Sequence, residues 1–441
     1  MNIRRTFSQA LYAVSIVAFA AFWSFSATPA ASAEDETEEM RTIDLAAPPR
    51  AWVPLARNLW FGAKVGLISL WKRDFDLNDK RSDSFASSAP ILAMALLHKP
   101  TDDTALFLSV TTSQSFLKDE AGKTKTEIRI VPVELNFSWS NIVEGVDARI
   151  GRQRFVDSRR WLYNDYQDAA RVFYRLSALR FELSAGQQRQ LNLLQDGNQA
   201  TRNAFIFNSS YDINPNNVVS AYAVAEQHES GAHGTPVFVG LHANGRVGRL
   251  APWLELAHVG GTSNGRKISG NGFDIGSTYE FPLPLRPSVT LAYASGSGDK
   301  TPFSGTDKNF RQTGLLLEKN VAAFNGVALF KYYGTALDPE LSNISIITAG
   351  LGVRPLRYTS LDLVYHHYRQ QEASATIRNS NLTRQANGLN KDIGNEADII
   401  AAYAGTHVKV KFEAGYFMPG AAFRSDSDKA IVTRLSMQYE F

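Results

Sequence analysis

The chain has no cysteine. That excludes disulfides, thiolate metal sites and cysteine nucleophiles, so an exported fold must be held together by other means. Beyond residue 33 there is also no apolar run long enough for a transmembrane helix. Past that point the chain is therefore either soluble or crosses a membrane as a closed barrel. A strong net charge is lacking too. There are 46 Lys+Arg against 43 Asp+Glu, a formal +3. Removing a leader that carries only Arg4 and Arg5 leaves +1. Net charge thus names no partner, nucleic acid included, and any basic function must come from where the charges sit. Finally, no linker divides the chain into domains.

What is present starts with a leader. Arg4 and Arg5 precede an apolar stretch from Ala10 to about Trp23, and Ala31-Ser32-Ala33 closes it as a small-x-small cleavage site. The apolar core is too short to span a bilayer, so residues 1–33 read as a secretory signal peptide and the mature chain begins at Glu34. Residues 34–57 form an acidic, then Pro-bearing lead-in. From residue 58 to 441 the texture is uniform: short alternating runs separated by polar turns.

Period-2 alternation is clearest at the end of the chain. Ile431, Thr433, Leu435, Met437, Tyr439 and Phe441 share one face, while Val432, Arg434, Ser436, Gln438 and Glu440 share the other. The run before it sets Val408, Val410, Phe412, Ala414 and Tyr416 against His407, Lys409, Lys411, Glu413 and Gly415. A face bearing Lys, Lys and Glu cannot be buried in a dry core, but it can face a water-filled lumen. The same parity places Lys64, Arg171, Arg175, Arg180, Thr348, Arg354, Asp274, Thr278 and Glu280 inward. Short connections (140–141, 248–249, 282–287, 355–358, 405–406) alternate with long ones (73–87, 156–167, 296–310, 370–395, 418–429). That rhythm predicts an all-β, transmembrane, antiparallel up-and-down barrel with short periplasmic turns and long extracellular loops. Roughly 18 to 20 strands are counted, residues 204–211 and 311–319 being the weakest. A soluble sandwich or propeller fits worse, because no blade repeat is visible and the polar faces are too charged. A barrel of this size is wide enough for an aqueous channel unless loops narrow it.

Several segments resemble the alginate-export family of outer-membrane proteins. They are Gly151-Arg152-Gln153-Arg154-Phe155 with Trp161 and residues 168–175; Phe310-Arg311-Gln312-Thr313-Gly314-Leu315 with Phe324-Asn325-Gly326-Val327; Tyr333-Gly334 through Pro339-Glu340-Leu341-Ser342-Asn343 to Leu361-Asp362-Leu363-Val364-Tyr365 and Tyr368-Arg369; and Asp392-Ile393-Gly394-Asn395-Glu396-Ala397-Asp398 with Gly415-Tyr416-Phe417-Met418-Pro419-Gly420. Phe75-Asp76-Leu77 adds a fifth. The resemblance runs from about residue 58 to 441. It implies an 18-stranded monomeric barrel in the outer membrane and an arginine-lined conduit for an anionic polyuronate, gated or partly plugged by loops. It also implies a periplasmic partner that guides the polymer. By motif, Arg152, Arg154, Arg175 and Arg311 would line the conduit. By inward parity Lys64, Arg171, Arg180, Arg354, Lys409, Lys411 and Arg434 join them. If Val146, Ala148 and Ile150 face lipid, however, Arg149 faces in and Arg152 faces out. Only a bulge near Gly151 would restore Arg152 to the lumen; otherwise it packs against loops at the membrane boundary.

Other features have plainer readings. Trp139, Trp253, Tyr163, Tyr416 and Tyr439 read as interfacial girdle residues, whereas Trp161 lies in a long loop. His366-His367 is not metal spacing, since neighbours on a strand point to opposite faces. Asp426 and Asp428 read as a solvated loop. No cofactor is implied, and no stretch sets a nucleophile beside a base, so an enzyme is not expected. The alternative to export is an anion-selective diffusion porin that imports acidic oligosaccharides or small anions.

Overall fold

The computed structural model describes residues 47–78, 84–118, 123–157, 159–189, 191–194, 202–228, 234–263, 265–302, 304–316, 320–322 and 329–441. The cleavage site at Ala33 and the acidic part of the lead-in lie outside the described residues. Eighteen long strands follow one another: β1 (Leu59–Arg73), β2 (Ser84–Thr101), β3 (Thr104–Lys118), β4 (Thr124–Val143), β5 (Val146–Val156), β6 (Asn164–Leu176), β7 (Leu179–Gln188), β8 (Arg202–Asn214), β9 (Asn217–His228), β10 (Pro236–Gly245), β11 (Leu250–Ser263), β12 (Arg266–Glu280), β13 (Ser288–Gly296), β14 (Ile344–Val353), β15 (Thr359–Gln370), β16 (Asp392–Ala404), β17 (Val408–Pro419) and β18 (Ala430–Glu440). Each pairs antiparallel with its chain neighbours. β18 pairs back onto β1, from Lys64↔Glu440 to Arg73↔Ile431, so the sheet closes without an edge.

Alternation explains the two faces. Leu135, Ile150, Val172, Leu183, Leu291, Leu351 and Leu363 are exposed outward, which a lipid solvent makes favourable. Their neighbours one residue away point into the lumen and are mostly polar or small, Phe173 and Val364 being the exceptions. The chain enters β1 and leaves β18 at the same end as the tight turns 102–103, 144–145, 177–178 and 215–216, which marks that end as periplasmic. The described parts of loops 157–163, 297–343, 371–391 and 420–429 stand at the other end; the short outer connection between Ser263 and Arg266, which pair with each other, is an exception to the length rule.

Three local expectations need correcting. Residues 311–316, the described part of the 311–319 stretch, form no barrel strand. Their apolar and polar alternation belongs to the 297–343 loop, in which the strands among the described residues are the short pair Asn320–Ala322 and Leu329–Lys331. The first tight turn after β4 is Glu144-Gly145 rather than 140–141; Asn141 (φ 52°) instead sits at a register shift between Trp139 and Val143. Strand β14 ends at Val353, which leaves Arg354 in a periplasmic turn, its backbone N–H bonded to the Leu285 carbonyl (2.7 Å).

Candidate functional site

Two outer loops fold into the lumen and occupy one side of it. Both are held by carboxylates that the strand alternation points inward. Loop 157–163 is shaped by Asp157, whose carboxylate accepts from the backbone N–H of Arg159, Trp161, Leu162 and Tyr163 (2.9–3.2 Å). The loop then sends Arg159 to Glu255 on β11 (3.6 Å) and Asp274 on β12 (3.4 Å). Burial works against the Arg159 charge, but Asp274 and Glu255 outweigh it and hold the guanidinium above its ordinary value. Trp253 points inward as well. It donates to Asp274 (2.8 Å) and lies 4.6 Å from the Arg159 guanidinium, so it is part of this anchor and not a girdle residue. Tyr163 likewise belongs to the buried loop.

Loop 297–343 is latched to the opposite part of the same wall. The N–H groups of Thr335, Ala336 and Leu337 donate to Asp398 (3.0 Å) and to the two oxygens of Glu396 (2.6 and 2.9 Å) on β16. Tyr368 on β15 donates to the same Glu396 (2.9 Å). The approach is close because two glycines allow it. A Cβ on Gly334 would lie 2.1 Å from the Tyr368 hydroxyl, at a φ of +95° that side chains avoid. One on Gly415 would meet Asp398 and the Ala336 N–H at 2.8 and 2.9 Å. Further along, Gln312 accepts from the Leu341 N–H, and its own N–H donates to Glu340. Tyr333 receives the Trp161 indole N–H (2.8 Å) and donates to Asp274 (3.2 Å), which ties the two loops together. Burial raises the Tyr333 hydroxyl well above its ordinary value, so it remains a donor. Tyr333-Gly334, Tyr368, Glu396, Asp398 and Gly415, drawn from two separate segments of family-like sequence, therefore meet in one latch.

The rest of the lumen has the opposite character. Arg149 on β5 stands directly across from Arg171 on β6, and Arg175 on β6 across from Arg180 on β7. Like charges placed so are unfavourable unless each finds a counter-charge. Arg171 has Glu182 (2.7 Å) and packs on Phe155 and Phe173; Arg180 has Asp212. Among the described residues, Arg149 and Arg175 make no side-chain ion pair or hydrogen bond. On the closing seam, Lys411 pairs with Glu413 (2.9 Å) and Lys409 lies 3.9 Å from Glu440, with Arg434 in register opposite Glu413. Lys64 is only 1% exposed, because the backbone of the lead-in crosses the lumen face of β1. The Ala47 carbonyl accepts from its ammonium, and the Arg50 N–H donates to Glu440 (2.9 Å). Gly62 is what admits that crossing, since a Cβ there would strike the Arg50 carbonyl.

Other residues singled out in the sequence are placed elsewhere. Arg152 pairs in register with outward Leu135, so it lies on the outer face. There it bonds the Pro132 and Arg189 carbonyls and Asp168, packed against a loop rather than lining the lumen. No register shift at Gly151 brings it inward. Arg154 has the same parity and bonds Asn164 (2.8 Å). Arg311 is part of the plugging loop and pairs with Asp307; burial, and then the nearby Arg378, lower it from the ordinary arginine value. Arg149, the residue absent from the motif-based set, was signalled by its alternation with Ala148 and Ile150.

Comparison with known proteins agrees with this architecture. The sequence model of the family described as "Alginate export" matches residues 103–435. Among solved structures, Pseudomonas aeruginosa OpdQ superposes with a TM-score of 0.58 at 11% identity, covering 88% of this chain and 99% of that one. Acinetobacter baumannii OccAB1 gives 0.58 at 12%, covering 88% and 97%. P. aeruginosa OpdK, solved with vanillate, gives 0.55 at 12%, covering 86% and 98%. At such identities these structures speak for the fold alone. No curated protein matches the sequence.

Proposed function

Because this chain belongs to the alginate-export family and is an outer-membrane channel, we propose that its basic half-lumen conducts an anionic exopolysaccharide such as alginate out of the cell. One observation carries the reading. The inward acids on β11, β12 and β16 are occupied by plugging loops, while Arg149 and Arg175 on the other side keep guanidiniums that make no ion pair or hydrogen bond among the described residues, Glu134 and Glu182 acting on Arg149 only from a distance. A polyanion in the passage supplies the missing charge and meets planar donors suited to carboxylates. Contacts half open to water are individually modest, which lets a polymer move on rather than stick. Lys409, Lys411 and Arg434 flank the same passage but are largely compensated, and Lys64 is covered by the lead-in. Transport involves a periplasmic secretion partner, and the closed barrel acts as a monomer in outer-membrane lipid.

The second reading, diffusion of small acids, has support in the similar barrel solved with the carboxylate vanillate. Anion selectivity is common to both readings and is the first test. In a KCl gradient across a planar bilayer, the zero-current potential of the refolded protein should have the sign of chloride preference. A cation-selective channel would defeat both readings.

A further inference from the structure

Below the 157–163 loop, on the periplasmic side, lies a cavity of about 410 Å³. Its size is within the range of small-ligand sites. Phe173 and Tyr163 supply aromatic surface, Asn208, Ser210 and Ser220 a polar edge, and Arg175 a cation. The acids around it are already engaged. Asp157 caps its own loop, Glu182 binds Arg171 and Ser184, and Asp147 accepts the Asn141 N–H. Arg180, also in the wall, is paired with Asp212. Arg175 is therefore the charge left for a guest. Phe173 has the Arg171 guanidinium 4.9 Å from its ring centroid, which fixes the ring while it lines the cavity. Ser210 and Ser220 hydroxyls stand 2.9 Å apart, and Ser210 donates to Asn208 (3.2 Å), a fixed row of donors and acceptors.

We propose that this cavity is a subsite for one acidic sugar unit: carboxylate on Arg175, ring against Phe173, hydroxyls along Asn208, Ser210 and Ser220. The proposal rests on the polyuronate reading and adds a place and a side to it. Gly145 and Val218, at the periplasmic turns, border the cavity, and Tyr163 roofs it. A chain arriving from the periplasm thus meets this subsite before the Arg149–Arg171 level, whereas one arriving from outside meets the loops first.

The test is sided block of single-channel current by trimannuronate, with maltotriose as the neutral control. Block from the periplasmic side should need about tenfold less trimannuronate than block from outside. Arg175→Gln and Phe173→Leu should each abolish that asymmetry. The leucine keeps apolar bulk and removes the flat ring, and heat-modifiable mobility verifies that each variant folds. Arg175→Lys should restore part of the sidedness. Equal block from both sides, or sidedness unchanged in both variants, overturns the subsite while uronate block itself leaves the polyuronate reading standing. Absence of trimannuronate block from either side overturns the subsite, and if long polymannuronate also fails to block, the polyuronate reading falls with it.

Discussion

Excising residues 298–342 and joining Ser297 to Asn343 through two glycines is expected to raise single-channel conductance by about threefold or more and to shift selectivity toward cations. The join is geometrically easy, because the Asn343 N–H already donates to the Ser297 carbonyl (3.1 Å). Strands β13 and β14 pair along Ser288↔Gly352 to Gly296↔Ile344 independently of the loop, so the barrel should still assemble. The sign follows from what the loop covers. Its removal takes away the backbone donors on Glu396 and Asp398 and the Tyr333 hydroxyl on Asp274, so these carboxylates turn to water. Carboxylates that the loop covered are then presented to the passage. Conductance and zero-current potential measured on the same preparation check both parts; unchanged conductance would mean that the loop does not narrow the passage.

Reversing both unpaired guanidiniums, Arg149→Glu with Arg175→Glu, should bring the zero-current potential to near zero or past it. The Arg149→Glu carboxylate faces Arg171 and the Arg175→Glu carboxylate faces Arg180, so each gains a cross-strand partner and folding should not suffer. The same reversal at Lys411 and Arg434 should weaken anion preference less. Lys411 is already balanced by Glu413, and Arg434 faces the same acid. Equal effects of the two double variants would remove the distinction between paired and unpaired cations on which the conduit assignment depends.

The barrel was legible because each strand must obey one rule, apolar out and polar in, repeated between turn residues. Parity alone also placed Arg149 inward and Arg152 outward, against the motif. A plug was implied by the resemblance, but the segments that form it were not legible. Phe310, Leu315, Leu337 and Leu341 are buried inside the lumen, so their stretch has the composition of a strand or core segment without belonging to the sheet. The Gly394–Asp398 run stood out only by resemblance, since its role depends on backbone N–H groups about 60 positions away, a contact that no local period encodes. Trp253 has the residue type of a girdle position but the parity of a lumen one: Leu254 and Leu256 face lipid, which sets Trp253 beside Glu255 and Ala257 in the lumen.

We propose that the passage conducts a polyuronate, and current block in the refolded wild-type channel by polymannuronate and by neutral dextran of matched length, each added from the periplasmic side, decides it. Block by the uronate alone, weakening as salt screens the guanidiniums, is the predicted result. Equal block by both polymers would contradict the claim and leave a general anion porin.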